Sequence, residues 1–329
     1  MRVPHQDHLP LSQPGLDLVC VRCGAVTKAI VTYEFMRRIQ GGAGCSKHEK
    51  SLLNFEGDSV VSSLDRDHKA LYQSLWDRGF CEAFPRSRAN FHNAYDLYDY
   101  AAFRWNHDNE TQSLMTSGEL GRLRLLASTE QRLKHANLSN SGIPDSDKTY
   151  GIAGRTLAGK VANLFAQNIY SCGARNKLNL VFTSHEPFLA FFALAELSNG
   201  VSSDVFKQLP RHGATMTFEL FSDGSHNETA YPSIDELHVR FLYRDSTDPG
   251  TLFKPYPIFG DSDSCMSVAR FKTFMSDISI GDAATWCGVC ESVSCFCDPP
   301  KKKNHTLLII LLTGGATLLI ILILLILVL

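Results

Sequence analysis

Helices first, then an alternation of strands and helices, then an uncharged tail: the sequence predicts an α/β fold. Three observations carry this reading. Up to about residue 149 the apolar positions recur at helical spacing. Beyond it, a long helix, a Gly-containing turn, an apolar run, a buried helix and alternating strands follow one another. The last residues, from Leu307 to Leu329, hold no charge and at about 1.5 Å per residue are long enough to cross a bilayer.

The 329 residues suffice for one large domain or two medium ones with a sizeable core. With 32 Lys plus Arg against 34 Asp plus Glu, the chain has no electrostatic footprint for nucleic acid, and no such partner is expected. An apolar content of 44% with 10% aromatics excludes a mostly disordered chain.

Residues 26–40 place Ile30, Val31, Phe35 and Met36 on a helix that Gly41, Gly42 and Gly44 break. A second helix is expected over 65–80 from Leu71, Leu75 and Trp76. A third, over 93–105, carries Tyr95, Tyr98, Tyr100, Phe103 and Trp105 as a stripe that faces the core or, alternatively, a ligand. A fourth covers 120–133, and the Ser-, Asn- and Gly-rich stretch 138–148 reads as a surface loop. Next come an amphipathic helix over 152–169, a short strand over 178–182 (Leu-Asn-Leu-Val-Phe), and an apolar helix over 188–197. Strands at 216–221 and 237–243 and a helix at 266–275 complete the body.

Ten cysteines, four of them at Cys287, Cys290, Cys295 and Cys297, suggest disulfides in an oxidising compartment. Zinc on the pairs Cys20/Cys23 and Cys287/Cys290 and reduced buried thiols are the alternatives. Sequons at Asn109, Asn137, Asn227 and Asn304 agree with a glycosylated, secreted body. Residues 1–14 do not read as a secretion signal, and Lys301, Lys302 and Lys303 ahead of the tail favour a cytosolic body instead. A lipid-anchor signal is a further reading of the tail.

The strongest local signal is Ser184-His185-Glu186-Pro187, between the expected strand and the apolar helix. Ligands of open α/β sheets bind beyond the carboxyl ends of strands, and a helix N-terminus favours a phosphate. His185 supplies a donor for an oxyanion and Glu186 a carboxyl able to act as general acid. The structural alternative makes Ser184 an N-cap and Glu186 a charge that complements the dipole.

The block Gly151-Ile152-Ala153-Gly154-Arg155-Thr156-Leu157-Ala158-Gly159-Lys160-Val161, residues 176–197, Tyr95-Asp96-Leu97-Tyr98-Asp99-Tyr100 and the cysteine cluster 286–297 resemble the histidine acid phosphatases. They are closest to the fungal secreted or membrane-attached branch, over about residues 20–297. The resemblance implies an α/β sandwich, incomplete here, with a large helical insertion. Residues 1–17 would be irregular, 18–149 the insertion, 150–286 the C-terminal part of the core, 287–306 a Cys-rich basic juxtamembrane segment, and 307–329 a transmembrane helix. The implied reaction is phosphomonoester hydrolysis at acidic pH through a phosphohistidine, without metal or cofactor. His185 would bind the phosphate and Glu186 would donate the proton. The implied partners are a phosphomonoester or inorganic phosphate, and the bilayer through Leu307 to Leu329.

The sequence departs from the family at the nucleophile. No Arg-His-Gly-x-Arg-x-Pro lies ahead of Cys20, and a chain shortened at its N-terminus would lack that motif and a secretion signal together. Arg211-His212-Gly213 follows Leu209-Pro210 and has Thr215 and Thr217 where Arg and Pro are required, so it reads as a loop before a strand. The expectation is an acid phosphatase-like protein with impaired hydrolysis. The alternatives are a non-catalytic, membrane-anchored protein that binds phosphate or a partner, and a tail-anchored cytosolic scaffold.

Overall fold

A computed structural model describes residues 42–138, 149–199, 203–222, 231–292 and 296–297. The helix expected over 26–40, most of the 138–148 loop, Cys20, Cys23, Cys295 and the run 307–329 lie outside them. Among the described residues no helix is long and apolar enough to cross a membrane.

The first half is helical, as its periodicity predicts. Helix α1 (Ser46–Glu56) has no counterpart among the expected elements. Helix α2 (Ser59–Leu75) starts ahead of the expected 65 because the Asp58 carboxylate accepts the Val60 N–H at 2.7 Å, a cap that satisfies a free donor. It runs into a π turn, Trp76–Phe80. Helices α3 (Ala94–His107), α4 (Asn109–Leu114) and α5 (Ser117–His135) follow. A capping box of Thr116 and Glu119 opens α5. Arg78 reaches Glu119 at 2.5 Å and holds its carboxyl down to about 2, which ties the end of the π turn to the start of α5.

The second half mixes helix and sheet. Helices α6 (Ile152–Tyr170), α7 (Glu186–Leu194) and α8 (Ser203–Phe206) precede β1 (Thr215–Ser222) and β2 (Leu237–Arg244). Then come β3 (Lys254–Pro255), β4 (Cys265–Ser267), α9 (Val268–Ile278) and α10 (Ala283–Cys290). Every pairing is antiparallel: β2 lies between β1, with Phe218 opposite Phe241, and the short β3 and β4. Along β2, Leu237, Val239, Phe241 and Tyr243 are buried in strict alternation, the period of a pleat with one face on the core.

One expected strand is absent. Residues 178–182 are in no sheet, and Leu178, Leu180 and Phe182 are 70%, 52% and 66% exposed. A strand needs a neighbour for its backbone groups, and among the described residues this run has none. Among the described residues the sheet is therefore small and wholly antiparallel, within a mixed helix and sheet body compatible with the expected α/β class.

Two apolar cores result. One joins Phe55, Val61, Tyr72, Leu97, Leu123 and Leu126 of the helical half with Leu189 of α7. The other joins Leu157, Phe206, Phe241, Tyr243 and Phe271 with Phe191 and Phe192 of α7. Contributing to both cores is what makes α7 apolar on every side. Its close contact with α6 needs glycine: a Cβ on Gly154 would lie 2.5 Å from the Phe191 backbone nitrogen.

Cys45, at the N-cap of α1, is disulfide-bonded to Cys290 at the end of α10, with the Cα atoms 4.5 Å apart. The bridge closes a loop of 245 residues. Cys287 and Cys297 are also in disulfides, which removes Cys287 and Cys290 as zinc thiolates. Among the described cysteines, Cys81, Cys172 and Cys265 are free and exposed.

Candidate functional site

The 178–182 run leads straight into the corner where the sequence placed its chemistry. His185, not Ser184, is the N-cap of α7, and its side chain makes no capping hydrogen bond. Glu186 and Pro187 occupy the first turn, where the missing proline N–H costs nothing.

The His185 side chain is held by the helical half. Its Nε2 lies 3.0 Å from Oε1 of Gln131, a buried residue of α5. With the amide oxygen as acceptor, Nε2 carries the proton. The Tyr95 ring of α3 packs against the imidazole at 4.6 Å between centroids. Glu130, beside Gln131, accepts the Tyr95 backbone N–H at 2.7 Å and pairs with Lys134. One buried carboxylate thus fixes both residues that touch the imidazole.

Burial pushes the His185 pKa down against the opposing pull of the Glu186 and Asp99 carboxylates. The imidazole therefore favours its neutral form and offers a hydrogen bond rather than a full charge, a correction to any reading that relies on an imidazolium. Burial, together with Asp99 and Glu186, raises Tyr95 to about 12, so its hydroxyl stays protonated. His135, one α5 turn beyond Gln131, is driven down to about 3 by burial and by its neighbours His48, His185 and Lys134. The His48 and His135 rings lie 5.6 Å apart.

Glu186 contributes an unusual atom. Its Oε2 is buried and has no hydrogen-bond partner among the described residues, and the same holds for Thr183 Oγ1. Buried polar atoms are ordinarily satisfied, so an orphan at a helix N-terminus is a feature to explain. Arg132, adjacent to Gln131 on α5, is a partly buried guanidinium with neither a hydrogen bond nor an ion pair among the described residues; burial lowers its pKa.

The structure thus brings His185 and Glu186 together with Tyr95, Asp99, Gln131 and His135. It leaves His212 apart, in an exposed turn ahead of β1, where Arg211 pairs with Asp245 at 3.5 Å and Asp248 at 3.6 Å. The Tyr95–Tyr100 stripe divides: Tyr100 packs on Phe80 and Phe84, as a core stripe should, while Tyr95 serves the site. Sequence reasoning missed Gln131 and His135. Their signal was available, as Ser128, Gln131, Arg132 and His135 fall three and four apart on a helix, a polar stripe where an amphipathic helix usually buries leucines.

Chemically, the corner combines a neutral imidazole, a carboxyl oxygen without an internal partner, and the positive end of α7, a set suited to an anion that exchanges a proton. Among the described residues no cluster of His, Cys, Asp or Glu is arranged to hold a metal ion. A small cavity of about 20 Å³ lies beside Lys134, Asp58 and Tyr150, and neither His185 nor Glu186 lines it. No protein-family model, no curated protein and no solved structure matches the chain.

Proposed function

We propose that this corner is the phosphate-binding, proton-donating side of a histidine acid phosphatase-type site, on a protein anchored by a membrane helix at 307–329. The observation that carries the reading is the orphaned Oε2 of Glu186, beside His185 at the head of α7. A bound phosphomonoester supplies what that oxygen lacks, because a leaving alkoxide needs the proton a carboxyl can hold. The sequence resemblance over residues 20–297 supplies the reaction class, and with it the α/β sandwich and the helical insertion.

Hydrolysis through a phosphohistidine needs a histidine in line with the leaving oxygen. His185 is committed to Gln131, and His212 sits in an exposed turn. The expected behaviour of this chain is therefore weak phosphate retention with turnover near background.

Two measurements on the folded full chain test the proposal: inorganic phosphate binding by ³¹P NMR, and hydrolysis of a generic phosphomonoester near pH 5. Binding that is lost in His185→Ala and weakened in Glu186→Gln, with hydrolysis at the buffer level, is the expected result. No binding of inorganic phosphate by the folded chain would remove the reading. Strong turnover abolished by His212→Ala would make 211–213 the nucleophile motif after all. For the anchor, deletion of 307–329 should move the body from the carbonate-washed membrane pellet to the supernatant.

A further inference from the structure

Residues 178–182 form the most concentrated exposed apolar segment of the described structure. Leu178, Leu180, Val181 and Phe182 all stand more than a third exposed, and the run makes no backbone hydrogen bond there. Yet it is anchored at both ends. On its N-terminal side, Asn168 of α6 donates to the Arg175 carbonyl at 2.6 Å, Asn176 donates to Gln167 at 2.9 Å, and Asn179 donates back to the Asn176 carbonyl. On its C-terminal side it enters α7 through His185, which Gln131 holds. A segment pinned in this way, with backbone donors and acceptors unpaired among the described residues, is a template whose ordering cost is already met by its anchors.

We infer that residues 16–23 of this same chain lie along 178–182 as its neighbouring strand. That segment reads Leu-Asp-Leu-Val-Cys-Val-Arg-Cys, bounded by Pro14-Gly15 and Gly24, with six of its eight residues apolar and none Gly or Pro. This is the composition and punctuation of a strand. Its reach is ample. The 18 residues between Cys23 and Gly42 span up to about 60 Å when extended. Gly42 packs against Ile152 at the start of α6, a 19-residue helix that leads to the run. Charge agrees as well: Asp17 opens the segment and Lys177 precedes the run, so strands laid in the same direction set acid beside base. A second copy's 178–182 would offer Lys177 no acid. A tethered segment also competes at an effective concentration near millimolar, far above that of another chain. The inference does not depend on the phosphate reading.

The test places a photoreactive benzoylphenylalanine at Phe182 in the full chain, with the same probe at Phe103, which is 64% exposed, as the background control. Cross-links mapped by mass spectrometry should fall within 16–23, with a yield independent of protein concentration and severalfold above the control. Cross-linked dimers that increase with concentration would assign the run to a second copy and overturn the inference. Cross-links to another part of the chain, or a yield no higher than at Phe103, would overturn it equally.

Discussion

The two cores of this molecule are of similar size, the sheet core the richer in aromatic rings, but they differ more in what else they bury. The sheet core is dry: Phe191 meets Phe218 edge-on at 5.2 Å, and Phe192, Phe206 and Tyr243 stack around it. The helical half also encloses Glu130, Gln131, His48 and Ser128, and it is there that His135 is forced neutral. Buried titratable groups cost stability unless they are paired, and they concentrate where chemistry is done. The sheet half is therefore packed with apolar side chains and the helical half carries the buried titratable groups, with α7 contributing to both.

The largest expected effect comes from the dry side. Phe241→Ala should cost about 3–5 kcal/mol, because it opens a cavity between Phe191 and Phe218 that nothing can refill. The loss should be the same at pH 5 and pH 7. Denaturant midpoints at the two pH values check it, and a strongly pH-dependent loss would end the distinction between the cores.

Cys45→Ser should cost about 2–5 kcal/mol, since the bridge to Cys290 restrains a loop of 245 residues in the unfolded chain. Hydrogen exchange sharpens the comparison: protection should fall first in α1 and α10, while β2 keeps its own. Uniform loss throughout would show that the two halves unfold as one unit.

The helical core should weaken in acid. The folded-state pKa of His135, about 3, lies below the ordinary histidine value of 6.5. The unfolded chain therefore takes up a proton that the folded chain refuses. The stability tied to a neutral His135 is fully present above pH 6.5 and is lost as pH falls toward 3, at about 1.4 kcal/mol per pH unit. Between pH 7 and pH 5 this amounts to about 2 kcal/mol. His135→Gln should flatten the profile, and an unchanged acid slope in that variant would place the sensitivity elsewhere.

The smallest effect is expected at the uncovered run. Phe182→Ala should cost about 1 kcal/mol or less in thermal or denaturant melts, because its ring is 66% exposed in the described structure, whereas that of Phe241 is buried. Equal losses for the two phenylalanines would mean that the run is packed as deeply as a core strand.

Much of the helical half was legible because amphipathic period is a local property: 93–105 and 120–133 appear as Ala94–His107 and Ser117–His135, each end within three residues of its expected place. Helix α1 escaped notice because its apolar residues, Leu52, Leu53 and Phe55, are crowded into its second half rather than spread along a stripe. For the site, the sequence indicated His185 and Glu186 from their place at a helix start. The polar stripe on 128–135 marks Gln131 as unusual, but neither its bond to His185, 54 residues away, nor the packing of Tyr95 on His185 leaves a periodic trace.

By itself, then, the sequence determined most of the longer helices, the two long strands of the hairpin and the residues at the head of α7, all set by side-chain period and local capping. Tertiary structure alone decided three further matters. Leu-Asn-Leu-Val-Phe at 178–182 has the composition of a strand but finds no partner among the described residues, because a strand exists only where another backbone accepts its N–H groups. Cys290 pairs with Cys45 rather than with a neighbour in its own cluster, because a disulfide follows distance in space. His185 stays neutral because burial outweighs the nearby carboxylates. Each depends on contacts between residues far apart in the chain, which no local pattern records.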